Sequence, residues 1–301
     1  MIGESVARML EGRVMAEGFD ADAWSTLEEA GVVRLLRPES EGGAGDAFRD
    51  AAAVLQVYGT HAPAVPLPDT LVAHALLARG GLDAPGGPVA LVVAGPDGSP
   101  DPADPGTSSG HRLEVAAWGD AAHCSWRAAD GTSRVFALDG ADEVRSLLAL
   151  AAAAVMTGAM RRAIDLSIEW AGMRRQFGRP IGAFQAVQHS LALAAEEVAA
   201  SRAALDWAAA ELEGGEALAA AAIAKARASE AAGRVAAVAH QVHGAIGFTA
   251  EHALHRSTRL LWLWRDRWGD EAHWYAWLGR EALAAGPDGL FDLVLGQRAG
   301  R

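Results

Sequence analysis

The segment RRQFGRPIGAFQ, residues 174 to 185, carries side chains that can bind an anionic, aromatic ligand. The planar guanidinium of Arg174 suits phosphate or pyrophosphate, because it donates two parallel hydrogen bonds. Gln176 stands beside it at a predicted helix end, and Phe177 is free to cover a ring. The alternative is a solvated, charged helix end in which Phe177 anchors the core. Five arginines fall within nineteen residues here: Arg161, Arg162, Arg174, Arg175 and Arg179.

A second segment, QVHGAIGFTAEH, covers residues 241 to 252. Gln241 lies on the last turn of a predicted helix, and Gly244 and Gly247 permit a tight turn and a close approach to a ligand. Thr249 is the predicted N-cap of the next helix, whose free N–H groups favour an anion. The alternative is an ordinary helix–glycine–helix corner.

The histidines and the cysteine give no metal signature. His240 and His243 are spaced i, i+3, as are His252 and His255. Neither a Glu-x-x-His pair on a facing helix nor an HExxH motif completes a ligand set. The single cysteine, Cys124, is expected to be a small core thiol. We therefore predict no metal site.

Composition limits the class of protein. The 301 residues are 51% hydrophobic and carry a net charge of -12. That balance excludes a disordered chain and argues against nucleic acid or an anionic membrane as the main partner. The N-terminus lacks an apolar signal region, and the alanine-rich runs hold little large apolar surface and many charges. We expect a soluble, cytoplasmic protein that does not insert into a membrane.

Three regions follow one another along the chain. Residues 1–85 alternate helical patterns with glycine and proline breaks, and 86–141 contain short apolar runs typical of strands. Residues 142–301 predict long helices that form an antiparallel bundle. The segment WLWRDRWGDEAHWYAW, 262 to 277, holds five of the ten tryptophans and is predicted as the last bundle helix. Its tryptophans are too closely spaced to share one helical face, which predicts both a core and a partner surface.

These segments together resemble the acyl-CoA dehydrogenase superfamily of flavoproteins. The motif Arg-x-Gln-Phe-Gly-x-Pro-Ile followed by Phe-Gln matches residues 174 to 185, and the Gln-x-x-Gly-Gly-x-Gly turn matches Gln241 to Gly247 with Ala245 replacing one glycine. RPESEGGAG resembles the family's N-terminal Pro-Glu-x-x-Gly-Gly-x-Gly motif, and Lys225 and Glu230 fit the helix before the glycine turn. The resemblance spans nearly the whole chain.

The resemblance implies a mostly α fold, with an N-terminal helical domain, a middle β-domain and a C-terminal four-helix bundle. It implies FAD at a subunit interface and an acyl-CoA substrate. The residues expected to contact the pyrophosphate and adenosine half of the adjacent subunit's FAD are Arg174, Gln176, Phe177, Gln185, Gln241 and Gly244.

The chain also departs from the family. The β insert is about half the usual length and lacks the Thr/Ser-bearing Gly-Ser-Asp segment that holds the flavin ring. Trp268 stands where the family's catalytic glutamate is expected, and the family's alternative position on the helix before Arg174, 148–155, holds no carboxylate. Tryptophan cannot remove an α-proton and would fill the acyl cavity. Asp266, Asp270 and Glu271 remain as displaced candidates for the base.

Three hypotheses result. The chain is a subunit of a heteromeric acyl-CoA dehydrogenase, in which a full-length homologue supplies base and substrate pocket, as a heterotetramer in fatty acid or sterol catabolism. Alternatively, it is a self-sufficient homodimer or homotetramer with a displaced base. The third hypothesis is a non-catalytic interaction protein or a base-free flavin monooxygenase relative.

Overall fold

The fold is mostly helical, as a computed structural model covering residues 2–12, 18–45, 48–94, 110–117, 120–213 and 217–294 shows. Helices come first, a small sheet follows, and a helical bundle ends the chain. This order confirms the predicted fold class, an N-terminal helical region, a small shortened β region and a C-terminal bundle. The run GPDGSPDPADPGTSSG, whose prolines, glycines and aspartates predict a loop, lies outside the described residues apart from Gly110.

The N-terminal region packs its helices into one apolar core. Asp20 is the N-cap of the second helix, as its residue type predicts, and its Oδ1 accepts the N–H of Ala23 at 2.9 Å. The fourth helix is buried almost throughout, and it takes the polar side chains of Asp69, Thr70 and His74 into the core. The helices are α1 Ile2–Leu10, α2 Ala21–Glu29, α3 Phe48–His61 and α4 Leu67–Arg79.

The sheet has four strands in sequential order: β1 Val89–Val93, β2 His111–Ala116, β3 Ala121–Arg127 and β4 Ser133–Asp139. β1 pairs parallel to β2, and the other pairs are antiparallel. The apolar runs GPVALVVAG, HRLEVAAW and SRVFAL predict three of these strands, and no pattern indicated β3. Its residues AAHCSWR include no β-branched side chain, although they alternate between buried and exposed as a half-buried strand must.

The C-terminal bundle is built around one long central helix, α5. Small side chains allow residues 146–160 of this helix to be enclosed on every side, and Gly158 marks a close approach to α3. A Cβ at Gly158 would stand 1.9 Å from the carbonyl oxygen of Gln56. The bundle helices are α5 Ala141–Met173, α6 Gln185–Glu213, α7 Leu218–His243, α8 Leu254–Asp266 and α9 Glu271–Val294.

The sequence analysis expects the alanine-rich runs to be too polar to span a membrane. By length and composition alone, that expectation was wrong for α5. Among the described residues, α5 is the one helix apolar and long enough to qualify. Its most apolar window is 89% buried inside the protein. Burial by protein on all sides is what the central helix of a bundle requires, so the finding is weak evidence for a membrane span.

Two predicted boundaries near the end of the bundle were wrong. Thr249 does not cap a helix, because residues Gly244–Phe248 form a 3-10 turn and its hydroxyl donates backward to the Ile246 carbonyl at 2.9 Å. α8 begins only at Leu254. The Trp-rich segment is two helices, since Trp268 and Gly269 both have positive φ, 58° and 92°, and break the helical path.

Candidate functional site

The motif after α5 forms a short hairpin that projects from the bundle. The strands β5 Arg175–Gln176 and β6 Arg179–Pro180 pair through a two-residue turn at Phe177 and Gly178. Both turn residues have positive φ, 49° and 79°, as a tight hairpin turn of this kind requires. The N–H of Arg174 donates to the Trp170 carbonyl and its carbonyl accepts from Ile181, each at 2.8 Å. The base of the hairpin is thereby fixed to the last turn of α5.

The predicted ligand-binding side chains of this motif all face outward in the isolated chain. Arg174, Gln176 and Gln185 are exposed, and Phe177 is 93% exposed. Phe177 is therefore not a core anchor, and that alternative was wrong. The guanidinium of Arg179 lies 4.2 Å from the centroid of the Phe184 ring, which stiffens the second half of the hairpin.

The second motif forms the corner between α7 and α8. Gly244 ends α7 with φ 68° and ψ -146°, a conformation that side-chain-bearing residues rarely adopt, and a Cβ placed there would meet nothing within 4 Å. Gln241 and Gly244 are exposed, whereas Gly247 is buried against His243 and Leu254. The corner thus exposes the backbone of Gly244 and the side-chain amide of Gln241 to solvent.

Trp268 is buried at the break between α8 and α9, with only 4% of its surface exposed. Its carbonyl accepts the indole N–H of Trp274 at 3.2 Å, and its ring packs edge-on against Trp264 at 5.1 Å between centroids. Trp264 and Trp274 are also buried, while Trp262 is 43% exposed. The tryptophans therefore lie both in the core and at the surface, and the contact of the exposed Trp262 with a partner chain stays a prediction.

Arg267 fills the space beside Trp268. Its guanidinium contacts the rings of both Trp264 and Trp268, 4.7 and 4.8 Å from their centroids. It donates to both carboxylate oxygens of Asp69, at 3.2 and 2.6 Å, and to the Leu91 carbonyl at 3.3 Å. The neighbouring Tyr58 is kept protonated, since burial and the Asp69 charge raise its pKa. One buried ion pair thereby ties the bundle to α4 and β1.

Lys225, the one lysine of the sequence, closes the C-terminal end of α8. It is fully buried, and its ammonium donates to the carbonyls of Trp264 and Arg265 at 3.0 and 2.8 Å and to Ser229 Oγ at 3.0 Å. A cation at unsatisfied helix-terminal carbonyls is stabilising. Burial nevertheless lowers the pKa of Lys225 to about 7.

The three displaced candidates for the base have different surroundings. Asp266 is exposed at the end of α8. Asp270 caps α9, and its Oδ1 accepts the N–H of His273 at 2.8 Å. Glu271 forms an ion pair with Arg265, and the hydrogen bonds from that guanidinium lower the pKa of Glu271. Among the described residues, none of the three carboxylates forms a hydrogen bond or ion pair with the hairpin motif.

The sequence patterns missed Arg267 and Asp69, the buried ion pair that fills the space beside Trp268 at the α8–α9 break. A carboxylate within the apolar stretch PLPDTLVAH was a signal that Asp69 needs a buried cationic partner. The described residues hold no group of three or more His, Cys, Asp or Glu side chains arranged to bind a metal ion. A cavity of about 620 Å³ lies between α1, α3, α5 and α6, but no predicted site residue lines it.

The exposed residues of the two motifs fit part of a dinucleotide. Arg174 is a free-standing planar cation, three exposed glutamines can exchange hydrogen bonds, and Phe177 offers an uncovered ring. Gly244 leaves room for close approach of a ligand to the backbone. These groups suit the pyrophosphate and adenosine of FAD. The surroundings of Trp268 offer no comparable opening, because Arg267 and two buried tryptophans, Trp264 and Trp274, occupy them.

The helical architecture, the small sheet and these two motifs define a protein built like the flavin-dependent dehydrogenases of acyl thioesters. Residues 146–264 match the family model described as acyl-CoA dehydrogenase, C-terminal domain. The chain is 34% identical over 259 residues to acyl-CoA dehydrogenase IpdE2 of Mycobacterium tuberculosis, which covers 79% of each chain. The chain therefore belongs to the acyl-CoA dehydrogenase family.

Other relatives agree with this assignment. IpdE2 of Mycolicibacterium smegmatis is 32% identical over 287 residues, covering 84% of this chain and 88% of that protein. The solved structure of a Tcur3481–Tcur3483 steroid ACAD variant is 26% identical with a TM-score of 0.73, and covers 95% of this chain and 96% of that one. The ChsE4–ChsE5 complex of Mycobacterium tuberculosis has the same fold, with 23% identity, a TM-score of 0.73 and coverage of 95% and 97%.

Proposed function

We propose that this chain is the subunit without the catalytic base in a heteromeric, FAD-dependent acyl-CoA dehydrogenase. In this proposal a full-length homologue supplies the flavin-ring pocket, the acyl pocket and the carboxylate base. FAD, when bound, supplies the acceptor for the hydride that leaves the β-carbon of the acyl thioester. The substrate class is an acyl-CoA of fatty acid or sterol catabolism, supported by the steroid ACAD among the structural relatives.

The burial of Trp268 carries this proposal. The family's base must lie within hydrogen-bond reach of the substrate α-proton. At the corresponding place this chain has an indole that is 4% exposed and packed against the Arg267–Asp69 ion pair. Neither an acyl chain nor a proton acceptor has room there. Glu271, the one displaced carboxylate with a guanidinium partner and a lowered pKa, is poorly suited to accept a proton.

The retained role is to bind one end of the cofactor. Arg174 would neutralise pyrophosphate charge, and Gln176, Gln185 and Gln241 would hydrogen-bond the adenosine half. Phe177 would cover an aromatic ring, and Gly244 would admit the ligand close to the backbone. Because Phe177 is 93% exposed in the isolated chain, this surface is suited to being covered by a partner that holds the rest of FAD.

The test uses the complex of this chain with a base-bearing acyl-CoA dehydrogenase chain from the same organism. The variants Asp266→Asn, Asp270→Asn and Glu271→Gln are made one at a time in this chain. Each complex is expected to keep its turnover of acyl-CoA, whereas removing the partner's carboxylate abolishes turnover. A turnover loss of several orders of magnitude in one of the three variants, with flavin content unchanged, would show that this chain supplies the base.

A further inference from the structure

A cluster of aromatic side chains joins the two motifs of the proposed cofactor surface. Its members lie on α5, at the end of α7 and in the segment before α8: Trp170, His243 and His252. The Trp170 ring stacks on His243 with centroids 5.6 Å apart and 16° between planes, and it meets His252 edge-on, also at 5.6 Å. The His243 and His252 rings are 4.5 Å apart. We call these three residues the Trp170 cluster.

Trp170 is bonded through its backbone to the first motif, whereas His243 and His252 belong to the second motif and bond to the backbone on either side of it. The Trp170 carbonyl accepts the N–H of Arg174, the first residue of the hairpin motif, at 2.8 Å. His243 directly precedes Gly244, and its Nδ1 lies 2.8 Å from the Ala239 carbonyl within the last turn of α7. His252 Nδ1 accepts the N–H of Leu254, where α8 begins, at 3.2 Å. The Trp170 cluster therefore spans the gap between the hairpin and the glycine corner.

We propose that Trp170 is a positioning residue, which sets the distance between Arg174 on the hairpin and Gln241 and Gly244 at the corner. The inference rests on the proposed function, because it concerns the surface that binds FAD there. A ligand that contacts both motifs gains affinity only if they are held at the correct separation before it binds. The flat ring of Trp170 supplies that separation, since it is clamped between α5 and two imidazoles.

The buried member of the cluster, His243, supports a rigid link, while Trp170 and His252 are half-buried. His243 is 5% exposed, and burial lowers its pKa, so its ring stays neutral against the indole. His240, one turn earlier, stacks on the exposed Phe248 with centroids 4.0 Å apart and reaches Thr258 Oγ1 at 3.2 Å. The corner is thus held from both sides, by His243 on the inner side and by His240 against α8.

The test measures the affinity for FAD of the same heteromeric complex, from the flavin fluorescence that appears on release. Trp170→Ala is expected to weaken FAD binding about tenfold, and Trp170→Phe, which keeps a stacking ring, to restore it to within about twofold of wild type. Arg174→Ala is the reference for the cofactor surface. The double variant is expected to lose less FAD binding free energy than the sum of the losses in the two single variants. The reason is that an Arg174 displaced by the loss of Trp170 contributes less to FAD binding.

The outcomes separate the two proposals. If Arg174→Ala loses FAD and Trp170→Ala does not, the positioning role is wrong and the cofactor surface stands. If both variants bind FAD as wild type does, the proposed cofactor surface is wrong and the inference fails with it. Strictly additive losses would mean that Trp170 acts on general stability. Should Trp170→Ala not fold, His252→Ala at the half-buried edge of the cluster must weaken FAD binding, and unchanged affinity there overturns the inference.

Discussion

The hairpin at Arg175–Pro180 and the α8–α9 break at Arg267–Asp270 are opposite in character. The hairpin exposes two arginines, a glutamine and a phenylalanine, and it contributes almost nothing to the core. The break buries a tryptophan and an arginine, and an ion pair ties it to α4. In the proposed function, this chain keeps the open cofactor surface of the family, and the position expected to hold the carboxylate, Trp268, is part of the core.

Removing the buried cation at the break tests the closed region most severely. Arg267→Ala leaves Asp69 buried without its partner, so the free energy of unfolding is expected to fall by about 3–5 kcal/mol. Chemical denaturation measures the change. Arg202→Ala, which breaks the exposed Arg202–Asp206 pair on α6, is the matched control and should cost at most about 0.5 kcal/mol. Equal costs for the two variants would mean that the break is not a packed core element.

Two tryptophans in the same segment allow a second matched comparison. Trp268→Ala removes a buried indole and is expected to lower the free energy of unfolding by about 3 kcal/mol or more. Trp262→Ala removes one that is 43% exposed, and should change stability by less than about 1 kcal/mol. Thermal and denaturant unfolding of both variants would check this. A larger loss for Trp262→Ala would contradict the assignment of Trp268 to the core.

The pH dependence of stability reports on Lys225, the residue that caps α8. Its pKa is about 7 in the folded chain, against about 10.4 for an unfolded lysine, so the unfolded state binds more protons between these values. Its contribution to stability therefore rises with pH across that window. The stability difference between wild type and Lys225→Met is expected to grow from pH 7 to pH 9.5 by roughly 1 kcal/mol per pH unit. A difference independent of pH would show that the folded lysine keeps an ordinary pKa.

The smallest effect on stability is expected at the hairpin tip. Phe177→Ala removes a ring that is 93% exposed and should change the free energy of unfolding by no more than about 0.5 kcal/mol. The same variant is expected to lose flavin from the complex with the partner chain. A destabilisation as large as that of Trp268→Ala would end the distinction between an open surface and a closed core.

Local sequence signals predicted much of this architecture. Alanine-rich runs that end in glycine predicted the long bundle helices. Residue types alone identified the hairpin and the glycine corner as candidate ligand-binding segments. The α8–α9 break was also signalled locally, since Gly269 followed by Asp270 is a helix stop followed by an N-cap. The density of tryptophans outweighed that signal, and a single helix was wrongly predicted.

Long-range contacts explain what the sequence did not reveal. Asp69 and Arg267 are separated by 198 positions, and nothing near either residue specifies the other. Trp268 adopts φ 58° because its ring contact with the Arg267 guanidinium and its hydrogen bond from Trp274 hold it there, not because of its own preference. The missed strand β3 is likewise stabilised by its neighbours β2 and β4 more than by its composition.

The most direct test of the account is the visible flavin absorption of the purified chain, alone and after co-purification with a base-bearing acyl-CoA dehydrogenase chain. The account predicts a colourless chain alone and a yellow complex that loses its colour when Arg174 is replaced by alanine. A chain that by itself retains FAD and dehydrogenates an acyl-CoA would contradict it, and would return the search for the base to Asp266, Asp270 and Glu271.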